Sequence, residues 1–149
     1  MDKSITIRQA TRADVGAIRY LVIAGHINPS NLDWKRFVVA CSPTGEVIGC
    51  GQIKPHRDGC WEMASIAVRR SWRGKGVAGA IIEALLRLHE GDLYLMCRSS
   101  LKGLYERFGF GVIAEEEMPR YFRKVKGLAR LAETLTRQGE SLLVMKRVV

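Results

Sequence analysis

With 149 residues, 47% of them apolar and 26% charged, the chain has the composition of one globular domain over 1–149, long enough to bury a core. No apolar run is long enough to cross a bilayer. Asp2 and Lys3 precede a strand-like Ile5-Thr6-Ile7 where a secretory signal would need an apolar core, so a cytoplasmic protein is expected. The formal net charge of +9 favours anionic ligands, either nucleic acid or a phosphorylated small molecule.

Ser4 to Gln9 reads as a strand. Ala10-Thr11-Arg12-Ala13-Asp14 then leads into a helix to about Ala24, with Val15, Ile18, Leu21 and Val22 on one stripe. Asn28-Pro29-Ser30-Asn31 is a loop and Leu32 to Arg36 a short helical turn. Phe37 to Cys41, Val47 to Lys54 and Cys60 to Val68 are strands joined by Pro43-Thr44-Gly45 and by Pro55 to Gly59, most simply as an antiparallel meander. Past a basic, glycine-rich stretch, Val77 to His89 is an amphipathic helix. Its stripe is Val77, Ile81, Leu85 and Leu88 with Ala78, Ile82 and Leu86; Glu83 and Arg87 pair on the outside, and Gly91 stops it. Leu93 to Cys97 is a strand that completes a β-α-β unit with 60–68. Ser99 or Ser100 caps a short helix ending near Phe108-Gly109, and Phe110 to Ala114 is a strand. Arg120 to about Thr136 is a helix with Tyr121, Val125, Leu128, Ala132 and Leu135 inward, and Ser141 to Val148 is the last strand.

Cys41, Cys50, Cys60 and Cys97 form no CxxC pair and no His cluster accompanies them, so they read as reduced thiols and no metal site is expected.

The basic residues gather at 69–75 and 120–130. The first cluster lies in Val68-Arg69-Arg70-Ser71-Trp72-Arg73-Gly74-Lys75-Gly76-Val77-Ala78-Gly79, between a strand and a helix. Free backbone N–H groups and the positive end of a helix dipole meet there, which makes an anion site. Gly74-x-Gly76-x-x-Gly79 matches the dinucleotide fingerprint. That fold, however, needs the turn directly after its first strand, and here Arg69 to Arg73 intervene. It also expects an acid after the next strand, where Cys97-Arg98 stand.

The same residues, read as Arg73-Gly74-Lys75-Gly76-Val77-Ala78, resemble the pyrophosphate loop of the GCN5-related N-acetyltransferases. So do Ile5 to Asp14 at the start, Ser65-Ile66-Ala67-Val68 before the loop, and Leu104-Tyr105-Glu106-Arg107-Phe108-Gly109-Phe110 after it. The resemblance covers nearly the whole chain. It implies an α/β (α+β) fold: a mixed, mostly antiparallel sheet of six to seven strands flanked by helices, here with a helical insertion before the last strand. It implies N-acetyl transfer from acetyl-CoA to a primary amine by direct attack, without a metal.

By that resemblance Arg73, Gly74, Lys75, Gly76, Val77 and Ala78 cradle the coenzyme A pyrophosphate, and Arg73, Lys75 and either Arg69 or Arg70 add charge near the 3′-phosphate. Ile66, Ala67 and Val68 offer backbone groups to the pantetheine amides, and a bulge in their strand opens a wedge where an N–H near Ile66 or Ala67 polarises the thioester. Tyr105 takes the general acid's place and Glu62 that of a base acting through water, with His56 a weaker alternative base. Ser99 stands where many members place an Asn that contacts coenzyme A. Glu115, Glu116 and Glu117 either attract a cationic acceptor or form a solvated loop. The blander readings are a Tyr105 packed on its helix and a Glu62 facing solvent. Dimers are frequent in the family, and the acceptor amine is not readable. Two other classes compete: a catalytically silent coenzyme A sensor, and a nucleic-acid module using Arg120, Arg123, Lys124, Lys126 and Arg130.

Overall fold

The computed structural model describes residues 4–30, 32–136 and 141–148, without the side chains of 129–136. The expectations placed on Asn31, Arg130, Ala132 and Leu135 therefore lie outside the described residues or side chains. In chain order the elements are β1 (Thr6–Gln9), α1 (Val15–Ala24), β2 (Phe37–Cys41), β3 (Val47–Pro55), β4 (Trp61–Val68), α2 (Val77–Leu88), β5 (Leu93–Arg98), α3 (Lys102–Glu106), β6 (Phe110–Val112), α4 (Arg120–Thr136) and β7 (Leu142–Arg147).

The seven strands hydrogen-bond in the order β1-β2-β3-β4-β5-β7-β6. β1 with β2, β2 with β3, β5 with β7 and β6 with β7 are antiparallel, while β4 and β5 run parallel at Glu62 and Tyr94. The tight turn between β2 and β3 reverses the strand, whereas the crossover through α2 returns β5 in the direction of β4; β1 and β2 are antiparallel although α1 lies between them. β6 and β7 pair as a hairpin would, Phe110 opposite Arg147, although α4 separates them in sequence.

The chain divides into two compact units, Met1–Lys54 with Met63–Glu90, and Pro55–Glu62 with Gly91–Val149. In the first, Ile18, Leu21 and Val22 of α1 pack on Phe37, Val39 and Cys41 of β2 and on Cys50 and Ala67. Val77, Ile81, Ile82 and Leu85 of α2 are buried. Gly51 lets the sheet approach them: a Cβ there would stand 2.5 Å from Ile66 Cδ1 and 2.8 Å from Ile81 Cγ2. Asp14 opens the turn before α1 by taking the Thr11 N–H at 2.7 Å and both Arg8 guanidinium nitrogens, at 2.7 and 3.0 Å.

In the second unit Met118, Phe122 and Val144 form a core with Cys60, Tyr94, Met96, Ile113 and Tyr121 against it. Here the helix-face expectation is corrected. Phe122 of α4 is fully buried, while Leu128 is 62% exposed. Helical period sets the direction of a side chain, but burial needs a partner in that direction, and the partners gather around the first turn of α4. Leu88, the last residue of α2, is likewise exposed. Ser99 and Ser100 do not cap α3: they open a short 3-10 turn, and the cap position falls on Leu101 with no side-chain bond. β6 ends at Val112, and Glu115–Glu117 form an exposed turn. Among the described residues no helix is long and apolar enough to cross a membrane.

Candidate active site

The loop between β4 and α2 starts as a 3-10 turn over Arg70–Trp72. It then passes through Gly74 at φ +76° and Gly76 at φ +82°. Both are left-handed conformations that cost a side-chain-bearing residue about 1–2 kcal/mol. Gly76 is the N-cap of α2, without a side-chain cap, and the first turn closes with Ala80 N–H donating to Gly76 O at 3.1 Å. The amides of Val77, Ala78 and Gly79 precede that bond and have no carbonyl one turn back. Added to the dipole of a helix over Val77–Leu88, they form an anion-binding end. Gly74 is exposed, and a Cβ on it would meet nothing within 4 Å.

The basic side chains around this end have separate roles. Arg73 Nε donates to Val68 O at 3.4 Å, so part of the backbone expected to face a pantetheine chain is held by the loop itself. Lys75 Nζ lies 4.9 Å from the Trp72 ring centroid. Arg69, which the resemblance offered with Arg70 near a phosphate, stands with Nη2 3.2 Å from Glu46 Oε1 and its guanidinium over Tyr20 at 5.5 Å.

Upstream in β4, Ser65 has φ +60°, a left-handed residue inside a strand. Its Oγ accepts from Gln52 Nε2 at 3.0 Å, and its carbonyl accepts from Cys50 Sγ at 3.6 Å. Ile66 and Val68 are half-buried and Ala67 is buried.

The second unit holds a polar cluster. The β3–β4 turn, with Gly59 at φ +89°, is closed by His56 N–H on Cys60 O and Gly59 N–H on His56 O. It brings His56 Nε2 to 2.8 Å from Glu62 Oε1, with both side chains about nine-tenths buried, at 11% and 9% exposure. The Tyr121 ring stacks on the imidazole at 3.5 Å and 17°, and Phe122 meets it edge-on at 6.0 Å. Asp58 accepts the backbone N–H groups of Cys60 and Tyr121, each at 3.0 Å. Burial opposes charge on Asp58, but the bonds from Cys60 and from the Tyr121 amide still hold its carboxyl below the ordinary value. Burial, then Glu62 and Cys60, push the Tyr121 phenol up to about 12.

Tyr105 sits on α3, 7% exposed and edge-on to Phe110 at 6.1 Å. Burial first, and Cys97 second, raise its phenol to about 12. Ser99 is half-buried, its backbone N–H on Ser141 O at 2.9 Å. The structure thus runs Arg73 to Gly76 through the loop into Val77 and Ala78 at the start of α2, and joins Glu62 to His56. Sequence reasoning missed two members of the polar cluster. Tyr121 was read only as a core-facing residue, although its aromatic ring is what covers His56. Asp58 was not singled out, although Asp58-Gly59 between two strands is a tight-turn signal. Among the described residues no group of His, Cys, Asp or Glu is placed to hold a metal ion.

No curated protein matches the chain. Among solved structures, Rv2747 from Mycobacterium tuberculosis in complex with CoA is 22% identical, with 97% of this chain and 99% of that one aligned at a TM-score of 0.74. A GCN5-related N-acetyltransferase from Kribbella flavida is 20% identical over 100% of both chains, at a TM-score of 0.68. N-acetylglutamate synthase from Neisseria gonorrhoeae, complexed with coenzyme A and L-arginine, is 19% identical at a TM-score of 0.71; it aligns with 97% of this chain, which spans 33% of that protein. At these identities the likeness is one of fold. The acetyltransferase (GNAT) family model, in contrast, matches the sequence itself over residues 11–110, from the turn before α1 through the glycine loop and Tyr105 to the start of β6. With the fold, the loop and the sequence in agreement over about two thirds of its length, the chain belongs to the acetyltransferase (GNAT) family.

Proposed function

We propose that this protein transfers an acetyl or other acyl group from acyl-CoA to a primary amine by direct attack. The observation that carries the reading is the loop heading α2, with two left-handed glycines, a free helix N-terminus and the basic Arg73 and Lys75 at one point. It suits a pyrophosphate: the backbone is bare at Gly74, and the open amides of α2 supply donors without a side chain in the way. Arg73, Gly74, Lys75, Gly76, Val77 and Ala78 would hold the diphosphate, Ile66, Ala67 and Val68 would pair with the pantetheine amides, and Ser99 would add a hydrogen bond. Bound acetyl-CoA supplies the activated acyl group.

Two proton tasks fall to this chain. An alkyl ammonium with a pKa near 10.4 must lose a proton, at a cost of roughly 4–5 kcal/mol at pH 7. The buried Glu62, bonded to His56, is the base assembly. Tyr105, with its phenol near 12, keeps its proton through any physiological pH. Full transfer to a thiolate of ordinary pKa near 8.5 is uphill by roughly 5 kcal/mol, so Tyr105 acts chiefly by donating a hydrogen bond as charge builds on sulfur. The four free cysteines suit a reducing compartment, in keeping with the cytoplasm.

Calorimetry with CoA and acetyl-CoA, followed by thiol release across a panel of small amines, amino acids and peptides, tests the reading. Binding of CoA with release of thiol by at least one amine is expected. No CoA binding would sink it. Binding without turnover would leave a coenzyme A sensor, and steeply salt-dependent binding to RNA or DNA in place of CoA would favour the nucleic-acid alternative.

A further inference from the structure

The Oε1 of the Glu62 carboxylate is engaged by His56 Nε2 at 2.8 Å, so Glu62 and the imidazole act as one unit. Read as a donor, Nε2–H fixes the imidazole in one tautomer and leaves Nδ1 as a lone pair. Among the described residues Nδ1 has no hydrogen-bond partner. The ring is held from several sides. Its own backbone N–H binds Cys60 O, Tyr121 stacks on its face, and Phe122 meets its edge. The charged or titratable groups facing it are Glu62 on β4, Asp58 in its own turn and Tyr121 on α4. Two are carboxylates and the third offers an aromatic face.

We propose that His56 is the catalytic base: Nδ1 receives the proton of the acceptor ammonium, and Glu62 is a positioning residue that fixes the ring and offsets its charge. The step balances simply. One N–H bond of the ammonium breaks, one Nδ1–H bond forms, and the products are a neutral amine and an imidazolium beside an ionised Glu62. Tyr121 then ties α4, the helix inserted before the last strand, to the base itself. This inference rests on the acyl-transfer reading and deepens it.

Two measurements test it. The first needs no acceptor: carbethoxylation by diethyl pyrocarbonate, mapped by peptide mass spectrometry, reads whether a neutral imidazole nitrogen is available. His56 is expected to react within about tenfold of the exposed His26 in the same sample. Complete resistance of His56 while His26 reacts would overturn the proposal. The second follows acetyl-CoA thiol release against pH with the best amine of the panel. His56→Gln should lower the rate about 100-fold near pH 7 and flatten the acid limb. His56→Ala should recover at least tenfold with added imidazole, a rescue that a structural role would not show. An acid limb unchanged in His56→Gln but abolished in Glu62→Gln would return the base role to Glu62 and overturn the proposal while leaving acyl transfer intact. Absence of thiol release by the wild-type chain with every amine would overturn both.

Discussion

Gln52 Nε2 donates to Ser65 Oγ at 3.0 Å, and this bond braces the left-handed residue of β4 at φ +60°. Gln52 is fully buried, and among the described residues its Oε1 has no partner. Ser65→Ala would leave the amide wholly unpaired and keep the left-handed backbone, at a cost of about 2 kcal/mol. Ser65→Gly loses the same bond but relieves the backbone, so it should cost less by about 1 kcal/mol. Urea denaturation of both variants checks the order. A Gly variant less stable than the Ala variant would argue against backbone strain at this position.

The Arg8–Asp14 pair makes the entry to α1 acid-sensitive. Hydrogen bonds from the Arg8 guanidinium, then from Thr11, hold the Asp14 carboxyl down at about 2 against an ordinary 3.8. Its folded pKa lies below its unfolded one, so the stabilisation is complete above about pH 4 and is lost as pH falls towards 2. Arg8 is 43% exposed and partly screened, so about 1–2 kcal/mol is expected. Asp14→Asn should remove that much at pH 7 and little at pH 2, as measured by melting temperature at the two pH values.

Tyr105→Phe keeps the ring against Phe110 and removes only the hydroxyl. We expect kcat to fall about 10- to 100-fold with KM nearly unchanged, and stability to move by less than about 1 kcal/mol. With the phenol near 12, Tyr105 should contribute no alkaline limb below about pH 11. Equal loss of kcat and of thermal stability would mark the hydroxyl as a packing group.

Asp58 joins the β3–β4 turn to the first turn of α4 through the Tyr121 amide, at 3.0 Å and 63 residues apart in sequence. Asp58→Ala should behave like loss of a helix cap, costing about 1 kcal/mol and loosening the stack of Tyr121 on His56. Faster amide exchange at 121–123, with the amides of β5 unchanged, is the expected pattern. A uniform change across the chain would mean that Asp58 supports the fold in general.

What could be read from the residues alone was local. Phe37–Cys41 and the start of α2 at Val77 stand where alternation, apolar stripes and glycines placed them. The conformation of Arg73 to Ala78 was legible because a glycine-rich turn into a helix is written in consecutive residues and follows from Gly74 and Gly76. Contacts between distant residues were not legible. No periodicity says that Phe122 rather than Leu128 is buried, since that depends on where Met118 and Val144 stand.

The sequence by itself determined the family, the order of elements and the character of the loop, since each depends on short-range pattern and backbone preference. The tertiary structure alone decided what Glu62 meets. A glutamate on a strand is equally a solvated side chain or a base until the fold shows what meets it. Here the β3–β4 turn carries His56 onto its carboxylate, and α4 lays Tyr121 over the imidazole from 65 residues away. Charge, hydrogen bonding and stacking act over a few ångströms in space, and only the folded chain sets those distances.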